Sequence, residues 1–203
     1  MKASLEGHLE EDAVKKTMLA LLLCGEAMAH KGPDASGRRD VAVYVVDEVT
    51  LKGPDLSRAE DRVSVIFARI GVRIHWETGA PRPEASCNTI VLTILEFPPA
   101  DVRPGVVAVT NLQDDSINVF YSRVRPWYEL WPNLGSSFLT HVFAHEISHA
   151  LQGLNRHSQN GLMKAEWKAS DRDIMLRATL PFTDLDVTLI RSGAVHCCPP
   201  YGL

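Results

Sequence analysis

No stretch of the 203 residues reaches the roughly 18 consecutive apolar positions that a membrane-spanning helix requires. Positive charge is in the minority: 21 Lys and Arg stand against 25 Asp and Glu, a net charge of −4, and no basic stripe runs along any segment. That argues against nucleic acid as a partner, since such binding needs a clustered cationic face. Internal repeats and low-complexity segments are lacking, which excludes a solenoid or an array. What remains is ordinary in bulk. With 45% hydrophobic and 23% charged residues, the chain can bury a sizeable core as one domain, or one domain divided by a cleft.

Residues 1–29 read as a leader. Lys15-Lys16, the apolar run Thr17–Cys24 and Ala27-Met28-Ala29 supply the basic pair, short apolar core and A-x-A site of a secretory signal peptide. An exported protein, periplasmic or extracellular, is expected on that basis; the alternative is an amphipathic N-terminal helix. Residues 30–40 form a flexible lead rich in Gly, Pro, Ser and paired Arg. Residues 30–203 are expected to be a single domain, with an upper part over 41–153 and a lower part over 154–203.

Within that domain the pattern alternates between strand and helix. Val41–Val46 is β-branched and reads as a buried strand. Ser57-Arg-Ala-Glu60 is a capping box for a helix carrying Val63, Ile66, Phe67 and Ile70, stopped by Gly71. Strands are expected at Val72–Trp76, Thr89–Phe97, Val106–Thr110 and Ile117–Tyr121, then an aromatic, Pro-rich loop. Ser136 or Ser137 caps the next helix, whose core stripe is Leu139, Phe143, Ile147, Ala150 and Leu154. Further helices are expected over Asp171–Ala178 and Thr183–Ser192, the latter with a Thr183-x-x-Asp186 cap and Gly193 as its stop.

The chemistry concentrates in His145–Met163, HEISHALQGLNRHSQNGLM. His145 and His149 are four apart, so on a helix both imidazoles leave one face a turn apart, as two ligands of one zinc must. Glu146 is rotated about 100° from His145 and lies beside such a metal rather than on it. There it can take a proton from a water whose pKa the metal lowers to roughly 7, and return it to a leaving amine. A catalytic zinc keeps three protein ligands and one open position. Two residues compete for the third place. His157 follows Gly153, which can end the helix in a left-handed turn and bring the chain back under the metal. Glu166 would have to come from a second helix. His157 is favoured, because the turn-forming run after it delivers Met163 as an apolar floor beneath the histidines. His141, one turn before His145, is expected to stand in the cleft wall or behind the ligands.

This segment resembles the metzincin clan of zinc metallopeptidases, whose pattern is H-E-x-x-H-x-x-G-x-x-H followed by a Met-turn. Here it reads H-E-x-x-H-x-x-x-G-x-x-x-H, with one extra residue on either side of Gly153. The early methionine is similar to that of archaemetzincins, without the cysteines that follow the third histidine there. A group of bacterial proteins, acidobacterial ones among them, carries H-E-I-x-H…G…H-S-x-x-G-x-M-x-A-x-W, and His145–Trp167 resembles it throughout. The resemblance implies an α/β (α+β) fold with a mixed five-stranded sheet and one antiparallel edge strand above the cleft. A backing helix, an active-site helix and a small helical C-terminal part complete it. It implies a zinc-dependent endopeptidase with one catalytic Zn2+ on His145, His149 and His157, Glu146 as base and acid, and a protein or peptide substrate. The substrate main chain would add to the edge strand Val106–Thr110, after Gly105. Two other readings stand beside it: a metzincin-shaped binding protein that cleaves nothing, and a thermolysin-like peptidase using Glu166.

Four cysteines complete the inventory. Cys24 falls in the leader, and Cys87 is expected to pair with Cys197 or Cys198 in an oxidising compartment. His196-Cys197-Cys198 is a poor second metal site, because adjacent cysteines do not span one tetrahedral ion.

Overall fold

The computed structural model describes residues 39–51, 53–82 and 88–193. The leader, most of the lead-in segment, all four cysteines and His196 lie outside them. Strand β1 (Arg39–Asp47) pairs in parallel with β2 (Val72–Thr78) on one side and β3 (Thr89–Leu95) on the other. Strand β5 (Ser116–Phe120) pairs in parallel with β3 and antiparallel with β4 (Ala108–Asn111). The order is β2-β1-β3-β5-β4, so the antiparallel strand forms one edge of a mixed five-stranded sheet.

Along β1 and β3 burial alternates: Val41, Val43 and Val45, then Ile90, Leu92 and Ile94, are buried, and their neighbours are half-exposed. The strands read as apolar throughout in sequence, yet only one face is fully covered. Registry carries that face across the sheet through Val45↔Leu92, Leu92↔Ile117 and Ile117↔Thr110. A side-chain period of two therefore sets Ala108 and Thr110 of β4 on the covered side, with Val109 on the other.

Helix α1 (Gly53–Ala68) joins β1 to β2 and buries Ala59, Val63, Ile66 and Phe67. It begins a turn earlier than the Ser57 box indicates. Pro54 pre-sets φ in the first turn and Asp55 meets the positive end of the helix dipole there. Gly71, at φ 79°, ends the segment as expected.

Helix α2 (Tyr121–Leu130) occupies part of the stretch expected to be an aromatic, Pro-rich loop, with Pro126 inside it. Pro126 removes one backbone hydrogen bond. Packing offsets it: Val124 is fully buried, and Trp127 stacks on Phe138 of the next helix at 4.4 Å. Helix α3 (Pro132–Gln152) starts with proline in its first turn, before either serine proposed as its cap. Ser137 instead donates from Oγ to the carbonyl of Met175 at 2.6 Å, tying α3 to α4 (Ala169–Met175). Helix α5 (Asp184–Ser192) carries the expected Thr183–Asp186 box, with Asp186 N–H donating to Thr183 Oγ1 at 3.2 Å and Thr183 N–H to Asp186 Oδ2 at 2.9 Å. Gly193 follows α5 at φ −64°, so left-handed geometry is not its reason. A Cβ there would lie 1.9 Å from the carbonyl oxygen of Leu151, and only glycine permits that approach.

From Leu134 to Gln152 nearly every residue of α3 is buried, because α1, α2, α4, α5 and the β4–β5 edge all pack against it. Phe143, Ile147 and Leu151 are fully buried, each stabilising by about 1.5–3 kcal/mol relative to exposure. Leu154 was expected in that stripe; it is 43% exposed because the helix has already ended at Gly153, in the left-handed conformation. None of the described helices is long and apolar enough to cross a membrane.

Candidate metal centre

The core side of α3 leaves His145 and His149 on the opposite flank, both buried and facing a cleft of about 720 Å³. Their Nδ1 atoms lie 3.0 Å from the carbonyl oxygens of Leu162 and Leu154 respectively. A carbonyl only accepts, so in each ring Nδ1 carries the hydrogen and Nε2 presents a lone pair. The two Nε2 atoms are 3.0 Å apart. Burial, above all, lowers both imidazoles to a pKa of about 4; His157 disfavours charge on both, and His145 disfavours it on His149. At neutral pH neither ring holds a proton that could bridge the pair. Two lone pairs face each other at hydrogen-bond distance, an arrangement that a cation relieves.

His157, on the loop after α3, completes the group. Its ring centroid is 5.3 Å from that of His145 and 5.0 Å from that of His149, and one donor atom from each of the three lies within 4.8 Å of the others. Nitrogen ligands of a tetrahedral zinc with ~2.0–2.1 Å bonds stand about 3.3 Å apart. A set of imidazoles with that convergence fits a borderline-soft divalent cation such as zinc. Glu166 lines the same cleft, but among the described residues it does not belong to the converging set.

Glu146 is buried beside the histidines, and Oε2 accepts a 2.6 Å hydrogen bond from Thr110 Oγ1. Burial pushes its pKa above the ordinary carboxylate value; the Thr110 bond and the neighbouring His149 and His157 act the other way. Thr110 escaped the sequence reading as a site residue. Its alternation with Val109 on an edge strand marks which face it occupies, but not which residue 36 positions away it meets.

His141 does not stand in the cleft. Its Nδ1 donates to the carbonyl of Ser137 at 2.7 Å, and Nε2 accepts from the Leu180 N–H at 3.0 Å. It is a buried strut between α3 and the chain before α5. Met163 is fully buried, and its carbonyl accepts from the Ser158 N–H at 2.7 Å, closing the loop that holds His157. Trp167 stands edge-on to His145 at 5.6 Å, and its indole N–H donates to the carbonyl of Leu162 at 3.2 Å. That carbonyl therefore receives both His145 and Trp167.

The cleft runs from the histidines along α3 past Val142 to Phe138, with Gly105–Thr110 as one wall. Trp127 closes the far end, and Arg172 lies over its ring at 5.4 Å. Lys164 pairs with Asp171, whose Oδ2 also accepts from the Lys168 N–H at 2.7 Å. Burial would raise the Asp171 pKa, but these partners outweigh it and hold the carboxylate below its usual range.

No protein-family model matches the chain, and no curated protein matches it. Among solved structures it is similar to archaemetzincin from Methanopyrus kandleri, at 14% identity over 77% of this chain and 96% of that one, with a TM-score of 0.48.

Proposed function

We propose that this chain is a zinc-dependent endopeptidase, with His145, His149 and His157 holding one ion and Glu146 acting as general base and acid. The observation that carries the reading is the pair of bare Nε2 atoms 3.0 Å apart, with a third imidazole converging on them. The resemblance of His145–Trp167 to metzincin motifs supports the choice of reaction. Bound zinc would supply Lewis-acid polarisation of the scissile carbonyl and acidify the attacking water. The chain's own residues do the rest. Thr110 orients the Glu146 carboxylate, which takes the water proton and returns it to the leaving amine nitrogen.

On this reading the substrate main chain adds to β4 as an antiparallel strand, which the position of β4 at the sheet edge and in the cleft wall supports. Gly105, at φ 85° with open space around the position of a Cβ, leaves room for a backbone to approach. A structure with a peptide inhibitor lying away from β4 would remove this element. Export rests on residues 15–29 alone.

The test is digestion of a peptide library by the zinc-loaded chain. Internal cleavage is expected, falling by about 10²–10⁴-fold in Glu146→Ala at unchanged zinc content. Absence of any cleavage by the zinc-replete wild type would leave a binding protein. Loss of zinc from Glu146→Ala would mean that the glutamate is a ligand.

A further inference from the structure

His145 and His149 are each oriented by a ring hydrogen bond to a main-chain carbonyl. Among the described residues the third imidazole has no such partner. His157 is exposed, sits on a loop without regular structure, and among the described residues its ring–ring contacts are with the other two histidines. A ligand so placed needs to be held through its chain. The residues on either side of it are held. Arg156 Nη1 donates to Asp186 Oδ1 at 2.7 Å, and Ser158 Oγ donates to the same oxygen at 2.6 Å. Arg156 Nη2 also donates to Ser158 Oγ at 3.1 Å, closing a triangle around the backbone of His157. Asp186 is fully buried, and its other oxygen accepts from the N–H and hydroxyl of Thr183 at 2.9 and 2.7 Å. One carboxylate therefore belongs to two devices: the cap of α5 through Oδ2, and a clamp on the histidine loop through Oδ1.

We propose that Asp186 is a positioning residue for the metal site, fixing the third ligand by clamping Arg156 and Ser158 to the start of α5. The proposal rests on the zinc reading above. Its logic is that of an outer partner that orients a ligand, displaced from the ring to the flanking main chain. Sequence alone shows Asp186 only as the third residue of a helix cap. The clamp becomes visible when α5 meets the loop 30 positions earlier in the chain.

The two devices separate by mutation. In Asp186→Asn the amide can keep its oxygen toward Thr183, but its nitrogen then faces Arg156, which has donors only. Arg156→Ala removes the two guanidinium bonds of the clamp, keeps the Ser158 bond to Asp186, and leaves the cap. Thr183→Ala weakens the cap and leaves the clamp. Zinc affinity is measured by chelator competition on folded protein, alongside urea unfolding and the visible spectrum of the cobalt(II)-substituted form. Asp186→Asn and Arg156→Ala are each expected to weaken zinc binding by about 10–100-fold and to alter the cobalt spectrum. The double variant should be no weaker than the worse single one. Thr183→Ala should lower stability with zinc affinity within about twofold of the wild type and an unchanged spectrum, because the clamp survives. Equal loss of affinity in Thr183→Ala and Asp186→Asn would reduce Asp186 to a structural cap. Wild-type affinity in Arg156→Ala and Asp186→Asn, in a chain that does bind zinc, would overturn this inference alone. A wild-type chain without zinc affinity would overturn both it and the reading beneath it.

Discussion

Replacing Gly161 by alanine probes how the loop after the histidines is held, and its cost can be worked from the geometry. Gly161 has φ 77°, and a Cβ there would lie 2.2 Å from the carbonyl oxygen of Pro181, a main-chain atom that cannot rotate aside. The left-handed backbone costs an alanine about 1–2 kcal/mol. Moving the Pro181 carbonyl also breaks its 2.8 Å bond from the Leu162 N–H, worth about 0.5–1.5 kcal/mol. Together these make about 1.5–3.5 kcal/mol of lost stability. Gly71→Ala is the control, since Gly71 has nearly the same φ, 79°, and nothing within 4 Å of the added carbon. It should lose only the backbone share, about 1–2 kcal/mol. Urea unfolding of the metal-free proteins at equal m-values measures the difference. A second readout is zinc affinity: Leu162 must shift with Gly161, and its carbonyl orients His145, so Gly161→Ala should also bind zinc at least about tenfold more weakly. Equal destabilisation by the two alanines, with unchanged zinc affinity in Gly161→Ala, would refute the reasoning.

Thr110→Val removes the hydrogen bond that orients Glu146, and should lower kcat by about 10–100-fold with zinc retained, the equivalent of one bond to a charged group; steady-state kinetics and metal analysis check both. His157→Ala should weaken zinc binding by more than about 100-fold, since loss of an orienting partner alone costs 10–100-fold, and Glu166→Gln should leave it nearly intact in the same titration. Burial opposes ionisation of Asp186, but its bonds from Ser158, Thr183 and Arg156 outweigh that and hold its pKa below the ordinary 3.8. Its folded pKa being depressed, it contributes stability that is present in full above about 3.8 and is lost as pH falls through the folded value. The stability gap between wild type and Asp186→Asn in the metal-free protein should therefore close only below that pH, which acid-series urea melts would show.

Elements with a strong local signature were legible in the sequence. The β-branched strands, the stop at Gly71, the left-handed end of α3 at Gly153 and the Thr183–Asp186 cap each depend on a few neighbouring residues. The expected edge strand is present, shifted from Val106–Thr110 to Ala108–Asn111. What local reading missed has a common cause. Helix α2 contains Pro126 and a run of aromatics, poor helix formers that become tolerable once Trp127 finds Phe138 and Val124 is buried against α3. The start of α1 was misplaced because Ser57 and Glu60 imitate a cap inside a helix already begun at Gly53. The HEISH spacing pointed to the two buried imidazoles. It could not locate Thr110, Leu162 or Asp186, because their bearing on the site arises from pairings between segments far apart in the chain. His141, expected in the cleft wall or behind the ligands, lies behind them, against Trp167. Its spacing puts it on the histidine face, but the chain before α5 covers that turn and takes up its ring nitrogen through Leu180.

The claim that the three rings converge to hold one ion is tested most directly by anomalous diffraction at the zinc edge from crystals of the zinc-loaded protein. The account predicts a single peak ~2.0–2.1 Å from Nε2 of His145, from Nε2 of His149 and from one ring nitrogen of His157, with Glu146 beside it and Glu166 away from it. A peak ligated by Glu166 with His157 turned away, or no peak between His145 and His149, would contradict it.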